Sequence, residues 1–181
     1  MAKFKVMKKA FTIGLFAVVL SYGCGQAQVS PTSSQNTETK TTTTMKEEIP
    51  ADQLPKTEQE WKAALTPEQY AVLREKGTER PGTGEFLYNE EKGVYVCAGC
   101  GTELFTSDMK FDSHCGWPSF DKEIAGGKIK QVSDFSHGMV RTEIVCAKCG
   151  GHLGHLFNDG PTATGQRYCV NSLSLGFKKE E

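Results

Sequence analysis

Two near-identical knuckles constrain this chain more than any other feature: Cys97-Ala98-Gly99-Cys100-Gly101 and Cys146-Ala147-Lys148-Cys149-Gly150. Each sets two sulfurs two residues apart across a tight turn, with glycine directly after the second. That spacing supplies half of a tetrahedral thiolate site, and zinc is its usual occupant. Four cysteines close such a site and leave no position for water, so the Zn(2+) is expected to be structural. The gap between the pairs is longer than in a compact zinc ribbon, so the metal would join distant parts of a sheet. Two disulfides, or one redox-active pair, are the alternatives, and an oxidising compartment would favour them.

The rest of the composition narrows the class. The chain has 181 residues, enough for one domain plus extensions. A formal net charge of −1 offers no basic excess for nucleic acid. Seven cysteines and nineteen glycines point to a metal site, disulfides or thiol chemistry among many turns.

Lys3, Lys5, Lys8 and Lys9 precede an apolar run from Ala10 to Leu20. The run is short for a bilayer span and suits the h-region of a signal peptide, a short N-terminal anchor being the other reading. Gly23-Cys24 then resembles a bacterial lipoprotein cleavage site. Residues 1–23 would be the signal peptide and Cys24 a lipidated N-terminus. Leu20 sits one place earlier than that motif prefers, and cleavage after Ala27 competes. Loss of residues 1–23 removes four lysines and no acids, leaving 17 basic against 22 acidic residues, a charge of −5. Ser, Thr, Gln and Asn make up half of residues 24–53, with Thr41 to Thr44 in a run. Such composition cannot bury enough apolar surface to order itself, so it reads as a flexible tether. The chain is therefore expected in the periplasm or cell envelope.

Order is expected from Leu54, with residues 54–181 forming one domain. Thr57 to Glu60 and Thr66 to Gln69 read as capping boxes that start two short helices, the second with Pro67 at its first position and Gly77 at its end. From Gly93 onward the pattern is short β-forming runs, Val94 to Val96, Glu103 to Phe105 and Met139 to Val145, between glycine-rich turns. The expectation is mainly antiparallel β with a small helical preface.

Arg167-Tyr168-Cys169-Val170-Asn171 reads as a strand, so Arg167, Cys169 and Asn171 point the same way. A cation beside a thiol favours the thiolate, the attacking form of cysteine. A small buried core cysteine is the bland alternative. If that strand ran unbroken to Phe177, the same face would continue through Leu173, Leu175 and Phe177. Cys115 lies in a loop, Lys110 to Phe120, whose Trp117 and Phe120 would line something. His152 and His155 stand three apart; a histidine can transfer protons near neutral pH, or can simply be structural.

Phe111 to Phe120, His152-Leu153-Gly154-His155 and Gly165 to Ser172 together resemble methionine sulfoxide reductase B, the family that reduces the R epimer of methionine sulfoxide. The likeness runs from about Leu54 to Phe177. It implies two antiparallel sheets of the β-tent (Mss4-like) type with small peripheral helices, and a structural zinc away from the active site. It matches Cys169 to the nucleophile, Cys115 to the resolving cysteine and His155 to a proton donor. It also matches Trp117 to the wall against the substrate methyl, and His152, Arg167 and Asn171 to site-shaping positions. It implies a thioredoxin-type electron donor, methionine-R-sulfoxide in peptides and proteins as substrate, and a monomer. His114, where the family usually has glycine, and Gly82, where an aromatic is common, depart from it. A zinc-stabilised binding module and a general thiol–disulfide oxidoreductase are the competing classes. Two extra cysteines with two histidines argue against the first, and the lack of a thioredoxin-like βαβ pattern argues against the second.

Overall fold

The computed structural model describes residues 47–181. The expected signal peptide, Cys24 and the expected tether up to residue 46 lie outside the described residues. Among those described, no helix is long and apolar enough to cross a membrane. The last residues of the expected tether are docked: Ile49 N–H donates to the Cys100 carbonyl at 2.8 Å, and Glu48 pairs with Lys148 at 2.9 Å.

Both capping boxes form. The Thr57 hydroxyl accepts from Glu60 N–H at the start of α1 (Glu58–Ala64), and the Thr66 hydroxyl accepts from Gln69 N–H at the start of α2 (Pro67–Leu73). Helices of this length are marginal alone. They persist because Trp61, Leu65, Tyr70, Val72 and Leu73 are buried. Beyond α2 the left-handed position falls to Lys76 (φ 58°) rather than to Gly77. Gly77 instead lets its backbone approach the Ala71 carbonyl, which a Cβ would meet at 2.9 Å.

Nine strands follow: β1 (Gly93–Cys97), β2 (Glu103–Thr106), β3 (Lys110–Phe111), β4 (Ser119–Phe120), β5 (Ile129–Asp134), β6 (Arg141–Cys146), β7 (His152–Phe157), β8 (Arg167–Val170) and β9 (Leu175–Lys179). They make a three-stranded sheet, β2-β1-β9, and a six-stranded sheet, β3-β4-β8-β7-β6-β5, both antiparallel. The mainly β architecture with two antiparallel sheets and small helices is as expected. Aromatic rings fill the space between the sheets. Phe105 of the small sheet stacks on Phe120 of the large one at 4.1 Å between centroids, and Tyr95 meets Phe120 edge-on at 5.0 Å.

Three expectations change. The strand from Arg167 does not run on to Phe177. A 3₁₀ turn at Ser172–Ser174 carries the chain from the large sheet into the small one, so Leu173, Leu175 and Phe177 do not extend the face of Cys169. Phe120 is not part of a substrate cavity. Ser119 pairs with Cys169 and Phe120 with Tyr168; alternation then sends Ser119 to the thiol face and Phe120 to the core, where it is fully buried. The loop holding Cys115 is also bounded by two short strands, β3 and β4.

Candidate active site

One row of side chains crosses the large sheet on its outer face. Val132 pairs with Glu143, Glu143 with His155, His155 with Cys169, and Cys169 with Ser119. Residues directly opposite in antiparallel strands share a face, so the imidazole of His155 and the thiol of Cys169 are neighbours by register. Regular alternation would send His152 to the other face from His155. The ladder between β6 and β7 slips by one residue, since Ile144 pairs with Gly154 but Val145 with His152. The bulged residue, Leu153, drops into the core, and both imidazoles come to one side, 5.5 Å apart. Gly154 is required here because a Cβ would lie 2.0 Å from the Cys169 carbonyl oxygen.

Cys169 lines a cavity of about 120 Å³ with Thr78, Trp117, Arg141, His155, Phe157 and Asn171. Cys115 does not line it. It faces a second cavity, with Phe111, Asp159 and Arg167. The two sulfurs meet between them at 3.6 Å, both as free thiols. They titrate as a pair that shares one negative charge. The hydrogen bond from Cys169, with those from the Ser113 and Ser119 hydroxyls, lowers the Cys115 thiol to about 4. The bond to Cys115 and burial push Cys169 up, against the pull of Arg167. The expected thiolate at Cys169 is thus replaced by a shared charge resting first on Cys115. In the reduced protein, iodoacetamide is expected to alkylate one of these thiols undiminished down to about pH 5. A thiol of ordinary pKa (about 8.5) would be slowed by roughly three orders of magnitude there. The rate should fall as pH drops through about 4. A rate that falls tenfold per unit below pH 8 would remove the shared charge.

The surrounding groups hold this arrangement. His155 Nε2 lies 2.8 Å from Asp134 Oδ2, which also accepts from Arg141 Nη2 at 2.7 Å. The backbone N–H of Ser136, then its hydroxyl and His155, keep the Asp134 carboxyl well below the usual carboxylate range. His152 is buried behind His155, its Nδ1 2.8 Å from Glu143, whose other oxygen accepts from Lys76. Burial lowers the His152 pKa, so the ring is neutral. Arg167 is gripped by Asp159 through two 2.8 Å hydrogen bonds and lies over Phe157. Neither His152 nor Arg167 lines the cavity of Cys169. Asn171 does, but its amide is spent on backbone, accepting from Glu79 N–H and donating to the Leu153 carbonyl.

Glu79 and Asp134 carried no signal in the sequence reading. Glu79 ties the site together: its carbonyl accepts from Trp117 Nε1, and its carboxylate accepts from the N–H groups of Ser172 and Leu173. The two departures noted above sit at the edge of this frame. His114 holds a left-handed backbone (φ 54°), secured by Asp112, with its ring in solvent. Gly82 (φ 80°) donates to the Gly116 carbonyl, and a Cβ there would meet open space.

The four knuckle cysteines gather into one cluster, all sulfurs within 4.8 Å of one another. Zn–S bonds of about 2.3 Å in a tetrahedron need sulfurs roughly 3.8 Å apart; the Cys97–Cys149 and Cys100–Cys146 pairs stand at 3.6 Å. The donor set therefore fits a closed tetrahedral metal. Cys97 and Cys100 belong to the small sheet's β1–β2 turn and Cys146 and Cys149 to the large sheet's β6–β7 turn, so the ion would join two sheets rather than parts of one. Arg141, in the cavity, and Cys146 are opposite ends of β6, about 17 Å apart at strand rise.

Comparison with known proteins agrees with this geometry. Residues 65–179 match the model of the SelR domain. The chain is 58% identical over 130 residues to the peptide methionine sulfoxide reductase MsrB of Methanosarcina mazei, covering 72% of this chain and 93% of that protein. It is 58% identical over 125 residues to the MsrB of Leptospira interrogans (69% and 95%) and 57% identical over 124 residues to that of Bradyrhizobium diazoefficiens (68% and 89%). Every element of the thiol site and the cysteine cluster lies within the matched span, and the chain belongs to the SelR-domain, methionine sulfoxide reductase B family.

Proposed function

We propose that this protein reduces methionine-R-sulfoxide in peptides and proteins to methionine at the expense of its own thiols. The observation that carries the reading is the pair of sulfurs 3.6 Å apart, only one of which opens into the cavity walled by Trp117 and His155. Transfer of the shared proton from Cys169 to Cys115 puts the charge on the sulfur that faces the substrate. The Cys169 thiolate attacks the sulfoxide sulfur. His155, held by Asp134 through Nε2, gives a proton to the departing oxygen from Nδ1. That oxygen leaves the methionine sulfur for Cys169, which becomes a sulfenic acid. Trp117, steered by Glu79, packs on the substrate methyl group. The Cys115 thiol then displaces water from the sulfenic acid to form the Cys115–Cys169 disulfide, and two thiols of a thioredoxin-type donor restore the pair.

Zinc held by Cys97, Cys100, Cys146 and Cys149 completes the reading as a structural ion that supplies no chemistry. The charged n-region, apolar run and Gly23-Cys24 support export to the periplasm or cell envelope with Cys24 as the lipid anchor, where a monomer would repair exported proteins.

Incubating the reduced protein with each epimer of a methionine sulfoxide peptide and counting thiols afterwards tests this. Consumption of the R epimer alone, with loss of two thiols per methionine formed, is expected. Equal turnover of both epimers, or none, would end the proposal.

A further inference from the structure

The hairpin that supplies Asp134 and Arg141 carries most of the exposed large apolar side chains among the described residues. Phe135, Met139 and Val140 stand on its tip, 71, 46 and 81% exposed, and Val132 lies on β5 just below. The tip is built to hold them there. His137 takes a left-handed backbone (φ 55°) and Gly138 another (φ 70°), conformations that a non-glycine residue keeps only where its surroundings enforce it. The base of the hairpin is closed by the Asp134–Arg141 pair, and Asp134 is bonded to His155. An apolar rim is thus anchored directly to the cavity wall.

We propose that this hairpin is the docking surface for the polypeptide that carries the oxidised methionine, and that it takes an apolar side chain about four residues from the sulfoxide. The inference rests on the reductase reading above. The cavity, about 120 Å³, is well below the roughly 300–1,000 Å³ of pockets that enclose whole drug-sized ligands. It admits a side chain, so the backbone of a peptide substrate must lie across the rim. The row Cys169, His155, Glu143, Val132 spans three strand spacings, about 14 Å at ~4.8 Å each. An extended peptide covers that distance in about four residues at ~3.4 Å per residue. Glu143, in the middle of that row, is buried beneath the exposed Lys76 side chain, so the peptide would run over Lys76 to reach Val132 on the edge strand β5. The partner chemistry is an unfolded or extended segment with an apolar residue at that distance, the kind of segment that folded proteins bury and oxidative unfolding exposes.

The test compares the wild type with a Val132→Ser, Phe135→Ser double variant on three substrates. These are the blocked amide of methionine-R-sulfoxide, a peptide with only Ser and Gly around the sulfoxide, and peptides with Leu four residues before or after it. For the wild type, one Leu peptide should show a KM about tenfold below the Ser/Gly peptide, the effect of burying one or two apolar side chains. The double variant should lose that gain while turning over the blocked amide within about twofold of wild type. Equal KM values for all peptides in the wild type would overturn the docking surface. So would a double variant whose activity falls equally on every substrate, since that marks a purely structural hairpin. Failure of the wild type on the blocked amide and all peptides alike would instead overturn the reductase reading.

Discussion

Replacing Cys169 with serine is expected to abolish methionine production on every substrate, whereas replacing Cys115 with serine should leave one turnover and then a stall. The asymmetry follows from which cavity each sulfur faces: Cys169 lines the one with Trp117 and His155, and Cys115 the one with Arg167 and Asp159. Without Cys169 no sulfur reaches the sulfoxide. Without Cys115 the first step still occurs, and Cys169 waits as a sulfenic acid open to further oxidation. Single-turnover quenching with mass analysis should find about one methionine per Cys115→Ser protein and an added oxygen on Cys169. Sustained donor-driven cycling in that variant would remove Cys115 from its role. A Cys169→Ala protein, which has no donor at this position, offers a second reading: loss of the hydrogen bond that does most to lower Cys115 should raise the pH at which Cys115 is alkylated.

Removing the metal should have the larger effect on the fold. The cluster ties the β1–β2 turn to the β6–β7 turn, and α1 and α2 rest on it: a Cβ at Gly99 would contact Trp61, and one at Gly151 would meet Leu73. Structural zinc contributes about 10–16 kcal/mol of apparent binding free energy in small domains, against a typical domain stability of about 5–15 kcal/mol. Exhaustive chelation under reducing conditions, or Cys146→Ser, is therefore expected to abolish the cooperative unfolding transition rather than shift it. Metal analysis of the purified protein should return about one zinc per chain. A metal-free preparation with an unchanged melting curve, or four cysteines found as two disulfides, would contradict this.

What could be read without coordinates was whatever is local in the chain. The capping boxes at Thr57 and Thr66 sit within four residues, and both helices begin where they say. The cysteine knuckles and the strand at Cys169 are equally local. Long-range register was invisible. The glycine, proline and polar positions around it placed Phe120 with Trp117 in a loop; only its pairing with Tyr168 shows that it faces the core. The break at Ser172–Ser174 was hidden because Ser172 to Phe177 alternates as well as any strand while the chain crosses between sheets. Glu79 and Asp134 escaped notice because their work is done on partners far along the chain: Trp117 and Ser172 for the one, His155 for the other.

The slip at Leu153 makes strand length itself a functional quantity. Most strands tolerate the gain or loss of a residue by shifting it into a turn. In β7 the spacing between His152 and His155 works like a reading frame: one residue is left uncounted so that two imidazoles a single odd interval apart land on the same side. Inserting one residue into β6 between Ile144 and Val145, opposite Leu153, would restore regular pairing and send one of them into the core, with every catalytic side chain still present in the sequence.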